Sequence, residues 1–159
     1  MCIRDRRKVI REWMAERRPP GPTLVLPKGA DANSQELLIW EGTVLTAVLD
    51  GLSKHGIYNA QLLVCSGWTD STLHLECQEG GQAYEVPLEW ARENLRHGAA
   101  LTYASIQART CRGTVQLLDW DSRRFTRRHL VMGLSRATSI ERIWLGEPLS
   151  QNPLSHHAS

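Results

Sequence analysis

The spacing of apolar residues divides the first hundred residues into a helical segment and a strand-rich segment. Val9, Ile10, Trp13 and Met14 recur at helical spacing, which predicts a helix over residues 6–18 that ends at the proline-rich turn 19–22. Short apolar runs separated by Gly, Asn and Asp then predict antiparallel strands in a small barrel or meander. The predicted strands are 23–26, 61–65, 72–77 and 83–86, the last two forming a hairpin at Gly80-Gly81. Residues 37–49 are predicted as one strand or as a bent pair around Gly42, and helical turns are predicted at 88–95.

From residue 99 the pattern changes to strand, helix, strand, helix, strand, which is typical of an α/β layer. The strands are predicted at 99–103, 114–118 and 142–145, with a turn and helix at 104–110 between the first two. Thr126 is a candidate N-cap for a helix that runs to about Arg136. We expect Leu130, Leu134 and Ala137 to face the sheet, and Trp40, Trp90, Leu95 and Trp144 to lie in the core.

Composition indicates a globular chain and leaves the partner open. The 159 residues suit one domain, with or without a small insertion, and 42% are hydrophobic and 23% charged. The formal net charge of +2 does not by itself indicate nucleic-acid binding. Eight arginines lie between Arg109 and Arg142 against three acidic residues, which suits bidentate phosphate binding or, equally, a solvated helix face.

Cysteine spacing and hydropathy bear on metal binding and on the expected cellular location. Cys2, Cys65, Cys77 and Cys111 form no C-x-x-C pair and no zinc spacing with the histidines, so we expect no metal site and four reduced thiols. No apolar run approaches the roughly 20 residues of a membrane span, and the charged N-terminus lacks a secretory signal. These features predict an intracellular protein that does not bind membranes.

Two segments carry a family resemblance. Residues 130–139 read LVMGLSRATS and residues 100–110 read ALTYASIQART. They resemble the sixth and fifth motifs of superfamily 1 helicases, L-[ST]-R-[AV] and T-x-H-x-x-Q-G. Residues 38–45 and 56–60 resemble a run that precedes the small β-barrel of the Pif-type and RecD-type branch and its viral-type relatives. The similarity covers roughly residues 6–146.

The resemblance implies an α/β fold: part of a RecA-like parallel sheet layer with an inserted small antiparallel β-barrel. Residues 1–36 would supply the first helix and strand of the RecA-like domain, and residues 37–98 the barrel-like insertion. Residues 99–146 would be the RecA-like segment with both motifs, followed by a disordered tail at 147–159.

The resemblance also implies roles for particular residues. Arg136 would be the arginine finger that stabilises charge on the transferred phosphoryl group, although a helix-end cation favoured by the dipole is the alternative. The nucleotide-binding residues would be Gln107, Ala108 and Ser135. The nucleic-acid-binding residues would be Thr102, Tyr103, Ser105 and Arg109, through hydrogen bonds to the phosphate backbone. Gln107 as a surface amide and Thr102 as an ordinary strand residue remain alternatives.

Three alanines depart from the family pattern. Ala104 stands where many members have His, and Ala108 occupies the usual Gly position, where an added methyl group alters the approach of backbone to phosphate. Ala60 replaces Gly after Asn59 in the turn before the barrel. We predict that a positive φ at Ala60 would be strained.

The sequence contains no G-x-x-x-x-G-K-[ST] phosphate-binding loop and no apolar run ending in Asp-Glu to hold Mg²⁺. We therefore expect ATP and Mg²⁺ to act only in a complete protein, and this chain alone to bind neither and to be inactive. The implied partners are single-stranded DNA, with RNA left open, and a missing N-terminal RecA-like ATPase domain. The predicted function is the C-terminal fragment of an ATP-dependent DNA helicase. The alternatives are a catalytically dead nucleic-acid-binding module and a protein-interaction scaffold.

Overall fold

A computed structural model describes residues 3–31, 34–102, 110–111, 114–118, 120 and 123–145, and for residues 3–8 the backbone only. The chain divides into two compact units, one of Met14–Ala100 and one of Met1–Trp13 with Leu101–Ser159. The helices are α1 (Ile3–Arg17), α2 (Leu88–Asn94) and α3 (Arg127–Leu134). The strands are β1 (Leu24–Leu26), β2 (Leu37–Ile39), β3 (Val44–Ala47), β4 (Leu62–Trp68), β5 (Thr72–Cys77), β6 (Ala83–Pro87), β7 (Leu95–His97), β8 (Val115–Leu117) and β9 (Ile143–Leu145).

A five-stranded antiparallel sheet dominates the Met14–Ala100 unit. Its strand order is β6-β5-β4-β3-β7, and β5 pairs with β6 as the predicted hairpin. The sheet is open, because β6 and β7 are its two edges. No closed barrel is found in the residues that the structure describes. Strands β3 to β6 instead pair in chain order, which is the meander that the strand spacing predicted as the alternative to a barrel. The fold is a mixed α/β arrangement, as the sequence predicted at the coarser level.

Residues 37–49 form two strands that belong to different sheets, which confirms the predicted bent pair. β2 pairs with β1, whereas β3 joins the five-stranded sheet. Gly42 lies between them with a φ of 88°, in the left-handed region that glycine enters without a steric penalty. A tight turn fixes the change of direction, since the amide of Thr43 donates to the carbonyl oxygen of Trp40 at 3.0 Å.

Alternating side chains of the sheet form the core of this unit. In β5 and β6 the buried positions are every second residue, as expected for strands with one face on the core. Trp90 packs against this core while partly buried, and Leu95 is fully buried, as predicted. The buried members are Leu26, Leu37, Ile39, Leu45, Ala47, Ile57, Leu63, Cys65, Leu73, Leu75, Tyr84, Val86, Ala91 and Leu95.

Two secondary-structure predictions for residues 95–103 are wrong. The sequence assigned Leu95 to helical turns, but β7 pairs there with β3, opposite Leu45 and Ala47. The predicted strand 99–103 is not found over its described residues, because the chain bends at 98–100 and continues without regular structure to Thr102. Gly98, Ala99 and Ala100 have low strand propensity, whereas the preceding residues already complete the sheet edge.

The second unit contains a parallel pair of strands, as the sequence predicted. β8 and β9 run parallel with Val115 opposite Ile143, and α3 lies between them in the chain. Two predictions of burial are wrong. Trp144 is 53% exposed and Leu134 is 39% exposed, whereas the buried residue of α3 is Gly133. The sequence pattern pointed to the large apolar side chains, but it is a glycine, with no side chain, that α3 buries.

Candidate nucleotide site at the end of helix α3

Helix α3 ends just before Arg136, the arginine that the sequence singled out. Thr126 caps its start, because the Thr126 hydroxyl accepts from the amide of His129 at 3.4 Å. In return the His129 ring nitrogen Nδ1 accepts from the amide of Thr126 at 3.1 Å, which completes a capping box. The cap was predicted, but the role of His129 was missed, since this position usually holds Glu or Gln.

The C-terminal end of α3 places Ser135 and Arg136 in one turn. Ser135 is the C-cap with helical φ and ψ of −71° and −3°, and the amide of Arg136 donates to the carbonyl oxygen of Gly133 at 3.2 Å. A cation at this end is favoured by the helix dipole. The chain therefore holds a guanidinium just beyond the last helical turn, at the place where the sequence predicted it.

The Ser135 hydroxyl orients the guanidinium. Nε and Nη2 of Arg136 donate to Ser135 Oγ at 3.2 and 3.0 Å, while Ser135 Oγ donates to the carbonyl oxygen of Met132 at 3.2 Å. The side chain of Arg136 is only partly buried, so it is not sealed inside the fold. The planar fork has five N–H donors, and Nε and Nη2 supply two of them to Ser135.

Backbone pairing attaches the segment after residue 109 to this turn. The amide of Cys111 donates to the carbonyl oxygen of Arg136 at 2.7 Å, and Cys111 forms a parallel bridge with Ala137. The contribution of Cys111 was missed by the sequence because a backbone hydrogen bond leaves no side-chain signature. The sequence signal for this pairing was the predicted parallel α/β layer, in which neighbouring segments pair through their backbones.

The other predicted site residues divide into two groups. Thr102 is described and half-buried, and it lies in irregular chain rather than in a strand. Tyr103, Ser105, Gln107, Ala108 and Arg109 lie outside the described residues, so their assignments stay predictions. The structure thus brings together Ser135 and Arg136 from the predicted set.

The N-terminal end of α3 is strongly basic. Its first turn contains no acidic residue, and four exposed arginines surround it, namely Arg123, Arg124, Arg127 and Arg128. Across the described residues, no group of three His, Cys, Asp or Glu side chains has an arrangement that would hold a metal ion. The described helices also include none with the length and apolar character needed to cross a bilayer.

The fold matches part of a helicase. No family model matches the chain, and no curated protein matches it in sequence. Among solved structures, it is similar to the Pif1 helicase from Bacteroides in complex with ADP-AlF3 and single-stranded DNA, at 16% identity and a TM-score of 0.64, covering 91% of this chain. It is also similar to Bacteroides Pif1 bound to single-stranded DNA, at 14% identity and a TM-score of 0.60, covering 87%.

A third similar structure concerns DNA unwinding at forked double-stranded DNA by two coordinating Pif1 helicases, at 16% identity and a TM-score of 0.60. The chain spans only 37–38% of the length of these three proteins. At these identities the likeness is one of fold. The predicted resemblance to a piece of a superfamily 1 helicase is confirmed at that level.

Proposed function

We propose that this chain is the C-terminal part of an ATP-dependent DNA helicase or translocase, and that Arg136 is its arginine finger. It would act when joined to an N-terminal RecA-like domain that holds ATP and Mg²⁺ on a phosphate-binding loop. The fold likeness to Pif1 helicases supports the class of protein. The role of Arg136 is a chemical proposal built on the end of α3.

The observation that carries this proposal is the arrangement of Ser135 and Arg136. The side chain is anchored through Nε and Nη2 by a neighbouring hydroxyl and remains accessible. Pre-orientation matters because an arginine finger stabilises the charge that develops on the transferred phosphoryl group. A side chain that is already in position does not have to reorganise when that charge appears. Arginine fingers contribute about 10³–10⁵ in rate. Ser135 would hold the fork in place at the nucleotide-binding site.

The remaining roles complete the proposed cycle. Gln107 and the backbone at Ala108 would sense the γ-phosphate, so that closure of the two RecA-like domains depends on ATP. Thr102, Tyr103, Ser105 and Arg109 would contact the phosphates of single-stranded DNA, which fixes register without reading sequence. Cys111 links the end of this segment to the Arg136 turn and so supports communication between the two.

The test uses a protein in which this chain is joined to a RecA-like domain with a phosphate-binding loop. Arg136→Ala is expected to lower DNA-stimulated ATP hydrolysis by at least 10³-fold while DNA affinity changes little. Arg136→Lys should remain strongly impaired, because an ammonium lacks the planar fork. Arg142→Ala, at another exposed arginine nearby in the sequence, is the matched control and should hydrolyse ATP normally. Normal turnover by Arg136→Ala would refute the finger role.

A second candidate is a nucleic-acid-binding module that has lost turnover. The observation in its favour is Ala108, which stands at the glycine position of the fifth helicase-like motif. In the joined protein, Ala108→Gly separates the two functions. A rise in ATP hydrolysis would identify a weakened motor, whereas DNA binding without hydrolysis in both variants would favour the binding module.

A further inference from the structure

The connection between β3 and β4 is a well-packed, hydrogen-bonded loop. It covers residues 48–61 and doubles back on itself through an antiparallel bridge between Leu52 and Tyr58. Its one fully buried side chain, Ile57, inserts into the core of the sheet unit. The loop therefore has a fixed position on the Met14–Ala100 unit.

Polar side chains at the base and tip hold the loop in one conformation. Asn59 Oδ1 accepts from the amide of Leu49 at 3.0 Å, and the amide of Asn59 donates to the carbonyl oxygen of Gly51 at 3.1 Å. Ser53 Oγ accepts from the amide of Ile57 at 3.1 Å. His55 meets the ring of Trp90 on α2 edge-on, with ring centroids 5.1 Å apart.

Gln61 connects the loop to the core. Its Oε1 accepts from the amide of Tyr58 at 3.1 Å, and its Nε2 donates to the hydroxyl of Tyr84 at 2.9 Å in a buried contact. Next to it, Ala60 has a φ of 66°, the one positive value at a non-glycine position in the part of the chain described. A left-handed alanine costs about 1–2 kcal/mol, and such strain is frequently found at functional sites.

This rigid frame presents two apolar side chains to solvent. Leu52 is 74% exposed and Tyr58 is 50% exposed. Because the two residues are paired across the bridge, their side chains project from the same face of the loop, about 5 Å apart at Cβ. Lys54, at the tip, adds an exposed cation. We call Leu52 and Tyr58 the Leu52–Tyr58 platform.

We propose that the Leu52–Tyr58 platform stacks a base of single-stranded nucleic acid, while Lys54 contacts the adjoining phosphate. The inference rests on the proposed helicase function and adds a site outside the fifth and sixth helicase-like motifs. Two side chains are far too small for a stable protein interface, which needs about 800 Å² from each partner. One exposed ring is sufficient for a base face, and stacking tolerates any base, as a translocating protein requires.

The test measures binding of the whole 159-residue chain to oligothymidylate and to an abasic strand of equal length. Tyr58→Ala should weaken binding to oligothymidylate about tenfold, and Tyr58→Leu should do the same because it lacks a π face. Tyr58→Phe and Tyr58→Trp should bind like the original chain. All of these variants should bind the abasic strand equally, since only the base contact is removed.

Two controls separate stacking from charge and from general effects. Lys54→Gln should reduce the slope of log affinity against log salt by about 0.7, whereas Tyr58→Ala should leave that slope unchanged. Val25→Ala, at a 52% exposed position on β1, should alter neither quantity.

The platform is refuted if Tyr58→Ala binds oligothymidylate normally, if it weakens both strands equally, or if the original chain binds neither strand. A protein partner on this loop would give the first of these results. Each outcome is independent of the arginine-finger test, which measures nucleotide chemistry in the joined protein.

Discussion

The backbone amide of Cys111 donates a 2.7 Å hydrogen bond to the carbonyl oxygen of Arg136. The adjoining parallel bridge between Cys111 and Ala137 fixes the register of the two segments. Cys111, which follows the fifth helicase-like motif, is therefore bonded to the turn that carries Arg136 of the sixth motif.

Thr126 is expected to determine how firmly α3 holds that turn. Thr126→Ala removes the hydroxyl that accepts from the His129 amide, and loss of such a cap costs about 1 kcal/mol. Amide hydrogen exchange in the first turns of α3 should therefore become about fivefold faster. Thr126→Ser retains the acceptor and should exchange like the original chain. Unchanged exchange in Thr126→Ala would mean that the cap does not stabilise the helix.

Ala60→Gly is expected to stabilise the protein. The backbone at Ala60 has a φ of 66°, which glycine adopts without the clash of a Cβ atom. Glycine also raises the conformational entropy of the unfolded chain, which offsets part of this gain. The expected net increase in the free energy of unfolding is about 0.5–1 kcal/mol. Urea denaturation measures it.

The matched control for this substitution is Ala83→Gly, at an exposed position where β6 begins. It should destabilise the protein by about 0.5 kcal/mol, because glycine in a strand loses conformational entropy without relieving strain. Equal signs for the two substitutions would contradict strain at Ala60.

His97 makes stability depend on pH. Its ring is 3% exposed, and Nε2 accepts from the amide of Leu38 at 3.3 Å, which joins β7 to β2. Burial lowers the pKa of His97 to about 4 from the usual 6.5, because desolvation disfavours the charged ring. Protonation also converts the acceptor into a donor that faces the Leu38 N–H.

Since the folded pKa lies below the unfolded one, the neutral ring stabilises the fold fully above pH 6.5. That contribution, about 3 kcal/mol, is lost as the pH falls toward 4. His97→Gln keeps an acceptor without titrating in this range, so its free energy of unfolding should fall less between pH 6.5 and 4. Denaturant titrations at several pH values measure the difference. Identical pH profiles for the two proteins would rule out His97 as the cause.

The sequence predicted the elements whose signals are local. Short sequence patterns predicted four features that the structure confirms. These are the hairpin at Gly80-Gly81, the bend at Gly42, the Thr126 cap and the parallel pairing of β8 and β9. Ala60 has a φ of 66°, at the turn position where the resemblance led us to look for strain because the family pattern has glycine there.

The errors concern tertiary context. Leu95 was predicted to end a helical segment, yet pairing with β3 overrides that preference. Strand spacing predicted a small barrel or a meander, because spacing does not determine whether the two edge strands meet. Trp144 was assigned to the core as an aromatic residue that flanks a strand, and it is 53% exposed. The side-chain bonds from Arg136 to Ser135 and from Gln61 to Tyr84 depend on rotamers and long-range packing, so no sequence pattern contained them.

The most direct measurement of the central claim is the affinity of the joined protein for ADP with aluminium fluoride, which imitates the phosphoryl group in transfer. An arginine finger contributes to the transition state and little to the ground state. Arg136→Ala should therefore bind ADP alone with unchanged affinity and bind ADP with aluminium fluoride at least 100-fold more weakly. Equal affinity of the original protein and Arg136→Ala for the aluminium fluoride complex would contradict the assignment of Arg136.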